Sequence, residues 1–206
     1  MEVEVMKYYK KFVGAKCYLS PISPDDADIF TEWLNDLELT KYLKIIRRTY
    51  TLLKEKEILE KMAKQDHAYV IVDNEINKPI GIVSIHNIDH INNICELGLF
   101  IGDKDYWNLG YGEEATRLML DFAFTVLNIN NVMLLVFDFN VRAIKCYQKI
   151  GFKEIGRRRE AYQIAGKKYD IVYMDILNEE FDSTYLKQMF SEEYETSLKP
   201  KKIEMV

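Results

Sequence analysis

Residues 106–152 decide how this chain is interpreted, and they read YWNLGYGEEATRLMLDFAFTVLNINNVMLLVFDFNVRAIKCYQKIGF. Gly110 and Gly112 stand where an extended segment gives way to a helical pattern. Farther along, a nearly all-apolar run is followed by Asn140, and a short amphipathic segment then presents Tyr147. The first half has the features of a turn that binds a phosphate group. The second half places one polar hydroxyl near that ligand.

The spacing of apolar residues in this stretch predicts a helix, a strand and a second helix. Apolar residues recur from Glu113 onward as on the buried stripe of an amphipathic helix. They are Ala115, Leu118, Met119, Phe122, Ala123 and Val126. The run from Val132 to Phe137 suits a central strand that is covered on both faces. Asn140 suits the N-cap of a helix of about ten residues, which Gly151 would end.

The segments on either side predict a mixed sheet. Ala15–Leu19 predicts a first strand, Ser23 and Pro24 predict a helix start, and a second helix is expected at about residues 51–64. Further strands are predicted at residues 67–73, 79–87, 94–101, 153–159 and 168–177. The resulting order, β-α-α-β-β-β-α-β-α-β-β, indicates the α/β class, as a mixed α+β sheet with helices on both faces.

Length and composition fit one ordinary domain of a soluble globular protein. The chain has 206 residues, of which 48% are hydrophobic and 30% are charged. We expect a lead-in at residues 1–14, the domain at 15–180 and a charged C-terminal tail at 181–206.

Charge, cysteines and the N-terminal segment exclude several classes of protein. The net charge of -5 argues against a nucleic-acid partner. Cys17, Cys95 and Cys146 are far apart, and the histidines lack metal-ligand spacing, so we expect reduced thiols and no metal. The N-terminus has no apolar signal region, and no segment approaches the length of a membrane span. We therefore expect a cytoplasmic protein that does not associate with a membrane.

The glycine turn is a candidate anion site, because the first N–H groups of a helix have no partner within the helix. Without side chains at Gly110 and Gly112, an anion can approach those groups, and the helix dipole favours it. A phosphate or pyrophosphate suits the turn, although two glycines before a helix also serve as a plain tight turn. No Gly-Lys-Ser/Thr follows, and Ala115 would have to stand for a third glycine. The turn is therefore neither a Walker A loop nor the dinucleotide-binding fingerprint.

The glycine turn and the segment that begins at Asn140 are two motifs about thirty residues apart. Together they resemble motifs of the Gcn5-related N-acetyltransferase (GNAT) superfamily, and most closely those of its RimJ/RimL-like branch. Residues 106–112 are similar to the Y-W-x-x-G-x-G/A segment of that branch, and residues 140–152 follow the pattern N-x-x-A-I-x-x-Y-x-x-x-G-F. The segments YLSPISPDD at 18–26 and WLND at 33–36 resemble its opening strand and helix. The resemblance covers about residues 15–180. It implies the GNAT acyl-CoA acyltransferase fold, a largely antiparallel sheet with a splayed central pair of strands and helices on both faces.

The resemblance implies an acetyl-CoA-dependent N-acetyltransferase and a set of residues that contact acetyl-CoA. The pyrophosphate is expected on the backbone of the glycine turn, and the pantetheine beside the end of the preceding strand. The implied contacts are Leu99, Phe100, Ile101, Trp107, Asn108, Leu109, Gly110, Tyr111, Gly112, Glu113 and Asn140. Asn140 serves equally well as a helix N-cap. Arg142 or Lys145 can meet the ribose phosphate, although both also fit as solvated helix residues.

The implied reaction is direct attack of a primary amine on the thioester through a tetrahedral intermediate. Tyr147 corresponds to the tyrosine that the family places near the thioester sulfur, where it can act as general acid toward the leaving thiolate. Its structural alternative is packing under Gly151 and Phe152. Glu96 is an acid in an otherwise apolar strand, which makes it a candidate base or acceptor contact. A surface salt bridge is the alternative role for Glu96, and a water relay can replace any side-chain base.

Glu113 and Glu114 depart from the family pattern, because several relatives have threonine or serine directly after the second small residue. Two acids beside a pyrophosphate are unfavourable, although acids in the first turn of a helix suit its dipole. The expected phosphate cradle is therefore the backbone rather than a side-chain hydroxyl.

The sequence leaves the acceptor open among a small amine, an antibiotic and a protein N-terminus. Its walls are expected from residues 33–50, of which 39–50 form a lid or a plain loop, and from the turn at 86–91, where His86 and His90 lie. The final hairpin and tail can pair two copies into a homodimer. A non-catalytic acyl-CoA-binding or regulatory domain of the same fold is the alternative function. The tract 157–159, with three arginines, is expected to be a solvated edge strand rather than a nucleic-acid site.

Overall fold

A mixed eight-stranded sheet forms the centre of the computed structural model, which describes residues 7–182 and 185–186. The strands are β1 Phe12–Val13, β2 Cys17–Pro21, β3 Ala68–Asp73, β4 Pro79–Asp89, β5 Ile94–Ile101, β6 Asn131–Phe137, β7 Lys153–Ile164 and β8 Lys167–Leu177. The helices are α1 Ala27–Asn35, α2 Leu37–Thr40, α3 Leu52–Met62, α4 Tyr111–Thr125 and α5 Val141–Ile150. Within these described ranges, no helix is long and apolar enough to cross a membrane. The predicted mixed α/β sheet is confirmed.

The sheet has the order β1-β2-β3-β4-β5-β6-β8-β7, and β5 and β6 are its parallel neighbours. Their ladder holds three residue pairs, which end at Glu96 and Met133. Beyond these residues β5 continues to Ile101 and β6 to Phe137 without pairing to each other. The predicted splayed central pair is therefore confirmed. A cleft opens between the C-terminal ends of the two strands.

Helices cover both faces of the sheet because consecutive residues of its inner strands face opposite sides. On one face, α4 buries Leu118 and Met119 in a core that includes Ile71 of β3. On the other face, α1 buries Phe30 together with Val70, the preceding residue of β3. Strand β3 is buried along its whole length, which explains its continuous apolar sequence.

Three local features differ from the sequence predictions. Val126 is 42% exposed rather than buried, because α4 ends at Thr125 and leaves Val126 as its C-cap. Strand β7 reaches Ile164, since the residues after the arginine tract still pair with β8. Phe12 lies in a short strand, β1, and packs against Phe122 of α4 with ring centroids 4.9 Å apart.

Strand β7 is the edge strand that the arginine tract was expected to form. It ends the sheet beside β8, and the side chains at 157–159 are exposed. The charged edge opposes pairing with another strand, which is one way in which sheet proteins protect their edges.

Candidate active site

A cavity of about 610 Å³ lies where β5 and β6 part, and this volume is typical of small-molecule sites. Its walls come from the ends of both strands, the glycine turn, the start of α5 and the segment that follows α2. The predicted site residues that line it are Glu96, Leu99, Phe100, Ile101, Trp107, Asn108, Gly110, Gly112, Glu113, Asn140 and Tyr147. The side chains of Leu109 and Tyr111 lie outside its walls.

The glycine turn presents backbone N–H groups at the start of α4. Gly110 is the N-cap residue with φ 89°, and no side chain caps the helix. The hydrogen-bond ladder of α4 begins where Glu114 N–H donates to Gly110 O at 3.0 Å, so the amides of residues 111–113 precede it. A Cβ atom at Gly112 would meet Ile101 Cγ1 and Leu99 Cδ2 at ordinary van der Waals distances of 3.7 Å. The fold itself therefore tolerates a methyl group at position 112.

The two acids after the turn are both engaged by other groups. Glu113 Oε2 lies 2.7 Å from Lys149 Nζ, and its Oε1 lies 3.3 Å from Arg117 Nε. Burial raises the pKa of Glu113, but the hydrogen bonds from Lys149 and Arg117 outweigh that effect and lower the pKa. Although Glu113 lines the cavity as an anion, two cations balance its charge.

Glu114 points away from the cavity and holds the loop between β1 and β2. Its carboxylate accepts hydrogen bonds from the backbone N–H groups of Ala15, Lys16 and Cys17 at 2.9, 2.7 and 2.8 Å. A Cβ atom at Gly14 would come within 2.6 Å of this carboxylate, so a side chain there would displace the Glu114 carboxylate. The expected conflict between two acids and a phosphate is thus resolved in two ways, because Glu114 points away from the cavity and Glu113 is paired with Lys149 and Arg117.

The aromatic residues of the turn fix its position relative to the sheet. Trp107 Nε1–H donates to Ile101 O at 2.9 Å, which ties the turn to the end of β5. The Tyr111 hydroxyl donates to Asp73 Oδ2 at 2.5 Å, and Leu109 is 54% exposed. The side chain of Tyr111 therefore anchors the turn to β3 and does not line the cavity.

The end of β5 offers a half-paired backbone to the cavity. Phe100 pairs with Ile82 of β4 and Leu99 pairs with Val83, so one edge of the strand is satisfied. The opposite edge has no partner in β6 beyond Glu96. An extended ligand that carries amides can bind such an edge as an added strand would.

Helix α5 brings Asn140 and Tyr147 to the cavity. Asn140 Oδ1 accepts from Ala143 N–H at 3.3 Å, which confirms its predicted role as N-cap. Tyr147 is 9% exposed, and its ring packs edge-on against Phe152 at 5.7 Å. Burial, with a smaller contribution from Cys146, raises the pKa of the Tyr147 phenol above its ordinary value. Across the described ranges, the Tyr147 hydroxyl has no hydrogen-bond partner, so a neutral proton donor faces the cavity.

Glu96 lies at the point where β5 and β6 separate, and two neighbours from β4 contact it. Asn87 Nδ2 donates to Glu96 Oε1 at 3.0 Å, and His86 Nε2 lies 3.5 Å from Glu96 Oε2. His86 also lines the cavity, whereas His90 does not. The sequence indicated that His86 was near the cleft, but it gave no sign of this pairing.

The segment after α2 closes one side of the cavity. The sequence predicted either a lid or a plain loop for this segment. Leu39 and residues 42–45 line the cavity. Arg47 Nη2 donates to Gln163 O at 2.6 Å, which attaches the segment to β7. The Tyr42 ring stacks on Phe139 at 5.9 Å. The segment is therefore a wall with contacts to the far side of the cleft.

Arg142 lines the cavity. From the sequence, it was also consistent with a solvated helix residue. Its Cζ lies 3.9 Å from the centroid of the Trp107 ring and 5.6 Å from that of Tyr42. These rings come from distant segments, so no local pattern could have predicted the stack. The guanidinium places a fixed positive charge at the rim beside the glycine turn.

The described part of the chain contains no group of three or more histidine, cysteine, aspartate or glutamate side chains arranged to hold a metal ion.

A cleft between diverging strands, an uncapped helix start and a neutral tyrosine hydroxyl in one cavity define the class of acyl-CoA-dependent acyltransferases. The sequence profile of the acetyltransferase (GNAT) domain matches residues 16–153, and the chain belongs to this family. The prediction of the GNAT superfamily with RimJ/RimL-like relatives is confirmed. The chain is an N-acetyltransferase that uses acetyl-CoA as its cosubstrate.

Several proteins similar to this chain are described as acetyltransferases. The chain is 26% identical over 162 residues to an uncharacterized N-acetyltransferase p20 of Bacillus licheniformis, across 76% of this chain and 90% of that protein. It is 30% identical over 102 residues to the putative ribosomal N-acetyltransferase YdaF of Bacillus subtilis (strain 168), across 50% and 55% of the two chains. A crystal structure of spermidine N-acetyltransferase from Vibrio cholerae in complex with CoA and spermine shares the fold. Its TM-score is 0.72 at 22% identity, and the match covers 81% of this chain and 98% of that chain.

Proposed function

We propose that this enzyme transfers the acetyl group of acetyl-CoA to a primary amine by direct attack, through a tetrahedral intermediate, in the cavity between β5 and β6. The main support for this proposal is that an uncapped helix start, an unpaired strand edge and a neutral tyrosine hydroxyl all lie at one cavity. Each of these features serves a different part of the two substrates.

The walls suit acetyl-CoA from its pyrophosphate to its pantetheine. The amides of residues 111–113 and the dipole of α4 would hold the pyrophosphate, and Gly112 leaves room for it against the backbone. The free edge of β5 at residues 99–101 would pair with the pantetheine amides. Arg142 adds a positive charge at the rim. Bound there, acetyl-CoA supplies the activated acetyl group.

Tyr147 is proposed as the general acid. A thiolate that leaves the tetrahedral intermediate needs a proton, and the raised pKa keeps the phenol protonated at neutral pH. Because the hydroxyl makes no bond to the protein residues described, it is available to the departing sulfur.

Glu96 and His86 are proposed to serve the amine. A primary amine of the lysine type has a pKa of about 10, so it arrives as a cation and must lose a proton before it attacks. The Glu96 carboxylate attracts this cation, and the paired groups accept its proton.

The acceptor is proposed to carry one ammonium group beside an apolar body, as a small arylalkyl amine or a protein N-terminus does. Among the described residues of the wall, the carboxylates are Glu96 and Glu113, and Glu113 is already neutralised. Lys44 also lines the cavity and opposes a polycation. The remaining wall near Glu96 and Lys44 is mostly apolar, with Leu39, Leu43, Ile45, Phe137 and Ile171. Relatives are named for spermidine and ribosomal acceptors, and these walls favour the single-ammonium type.

An acceptor panel tests the proposal. The purified chain is given acetyl-CoA with phenethylamine, a short peptide with a free N-terminus, spermidine or an aminoglycoside. Release of CoA thiol and the mass of the product are followed. We expect turnover with at least one amine and a higher kcat/KM for phenethylamine or the peptide than for spermidine.

Two outcomes would contradict different parts of the proposal. Binding of acetyl-CoA without transfer to any amine would favour a non-catalytic acyl-CoA-binding domain. A higher kcat/KM for spermidine would leave the transferase in place and overturn the acceptor class.

A further inference from the structure

Strand β4 directs two side chains at Glu96, one from a regular strand pair and one from an irregularity that follows it. The pairing of β4 with β5 shifts register between His86 and Asp89, and Asn87 has the left-handed φ of 52°. Such bulges re-aim side chains and are frequent beside active sites. His86 stands directly opposite Glu96 in the regular pairing, and the bulge that follows turns Asn87 toward the other oxygen of the same carboxylate.

The Glu96 carboxylate is engaged on both oxygens. Asn87 Nδ2 donates to Oε1 at 3.0 Å, and His86 Nε2 faces Oε2 at 3.5 Å. A carboxylate that is held in this way orients its neighbours. The imidazole, in contrast, keeps its Nδ1 free of hydrogen bonds to the residues that the structure describes.

Gly98 provides the space in which the imidazole lies. A Cβ atom at this position would meet His86 Cε1 at 3.1 Å and Ser84 Oγ at 3.4 Å. His86 and Gly98 both line the cavity. The imidazole ring of His86 therefore packs over Gly98 of β5, beside the cleft where the acetyl group would lie.

We propose that His86 is the general base of the acetyl transfer and that Glu96 is its positioning residue; this inference rests on the proposed function. With Nε2–H directed at Glu96, Nδ1 carries the lone pair that takes a proton from the acceptor ammonium. A carboxylate that holds the far nitrogen of an imidazole fixes the tautomer in this way.

The proton balance is complete without a further reactant. The ammonium gives its first proton to His86 Nδ1, and the neutral amine forms the bond to the carbonyl carbon. The carbon–sulfur bond breaks, and the thiolate leaves with its electron pair and takes a proton from Tyr147. The second proton of the nitrogen returns through solvent to Tyr147, and His86 releases its proton to solvent. The products are the amide, CoA thiol and one proton.

Several charged groups surround His86. Glu96 faces it from β5, and Lys44 lines the same cavity from the segment after α2. Asp66 and His67, which precede β3, line an adjacent pocket of about 300 Å³ that shares His86 as a wall. A pH profile therefore has to be interpreted as a difference between matched variants.

The test compares His86→Gln, Glu96→Gln and His90→Gln. Glutamine at 86 keeps an amide donor for Glu96 but has no group that titrates. His90 is an exposed histidine of the same hairpin and lies outside the cavity wall, so His90→Gln is the matched control. The readout is kcat at saturating acetyl-CoA and acceptor, measured from about pH 5.5 to 9, the range that brackets histidine titration.

We expect kcat of His86→Gln to be lower than wild type by at least about 100-fold above neutral pH, the usual contribution of a general base. The ratio should shrink toward one at low pH, because a general base of the imidazole type is inactive once it is protonated. Glu96→Gln should have a lower kcat but keep the acidic limb of the pH profile, which is the fall of kcat toward low pH. His90→Gln should match wild type. Added imidazole should partly restore His86→Ala.

The inference would be overturned by a constant ratio of wild type to His86→Gln at every pH. It would equally be overturned if Glu96→Gln lost the acidic limb while His86→Gln kept it, which would make Glu96 the base. Absence of turnover by the wild-type enzyme with every amine would instead contradict the proposed function.

Discussion

Tyr147→Phe separates the catalytic role of this tyrosine from its packing role. The substitution removes one hydroxyl that has no hydrogen-bond partner in the described structure and keeps the ring against Phe152. Because no protein partner is left unpaired, the free energy of unfolding should change by less than about 1 kcal/mol. Loss of a general acid typically lowers the rate by about 100- to 10,000-fold, or about 3–5 kcal/mol of activation free energy.

The assay is release of CoA thiol under saturating substrates, with urea unfolding of the same preparations. Tyr162→Phe is the matched control, since Tyr162 is also buried, its hydroxyl also lacks a partner among the described residues, and it does not line the cavity. We expect kcat to fall only for Tyr147→Phe, with KM for acetyl-CoA nearly unchanged. A kcat for Tyr147→Phe within about twofold of wild type, or an equal fall for both variants, would refute the general-acid assignment.

Further substitutions test the site and its supports. Gly112→Ala should bind CoA nearly as wild type does, because the added Cβ makes ordinary contacts, whereas the larger side chain of Gly112→Leu should raise the Kd at least about tenfold by calorimetry at an unchanged melting temperature. Glu114→Ala should lower the free energy of unfolding in urea by about 2–4 kcal/mol, since three backbone N–H groups lose a charged acceptor; an unchanged midpoint would contradict this. Burial alone would raise the pKa of Asp73, but hydrogen bonds from the Tyr111 hydroxyl and two turn amides lower it. This stabilisation is present above the ordinary aspartate pKa of about 3.9 and is lost as pH falls through the lower folded value. The gap in stability between wild type and Asp73→Asn should therefore close in acid, and a gap independent of pH would exclude the linkage.

Local signals in the sequence were sufficient to predict the fold and most walls of the cavity. The apolar stripe of α4 and the all-apolar run of β6 depend on periodicity, which is a property of neighbouring residues. The turn at Gly110 could be predicted because glycine before a helical pattern often marks a tight turn, and the left-handed φ of 89° there agrees with it. Asn140 carried two predicted roles, and its role as N-cap followed from capping preferences alone.

The pairing inside the site could not be predicted, because it depends on contacts between distant residues. His86 meets Glu96 because the two residues pair across β4 and β5, whereas Asn87 reaches the same carboxylate through the register shift that follows His86. Glu114 bonds to amides 97 to 99 positions away, which no local pattern indicates. The contacts of Glu114 keep its negative charge away from the expected phosphate site at the start of α4.

A crystal structure of the enzyme with bound CoA would test the central claim most directly. We expect the pyrophosphate oxygens to accept hydrogen bonds from the amides of residues 111–113, the pantetheine to lie along β5, and the CoA sulfur to lie within hydrogen-bonding distance of the Tyr147 hydroxyl. CoA bound outside the cleft between β5 and β6, or a sulfur directed away from Tyr147, would contradict the account.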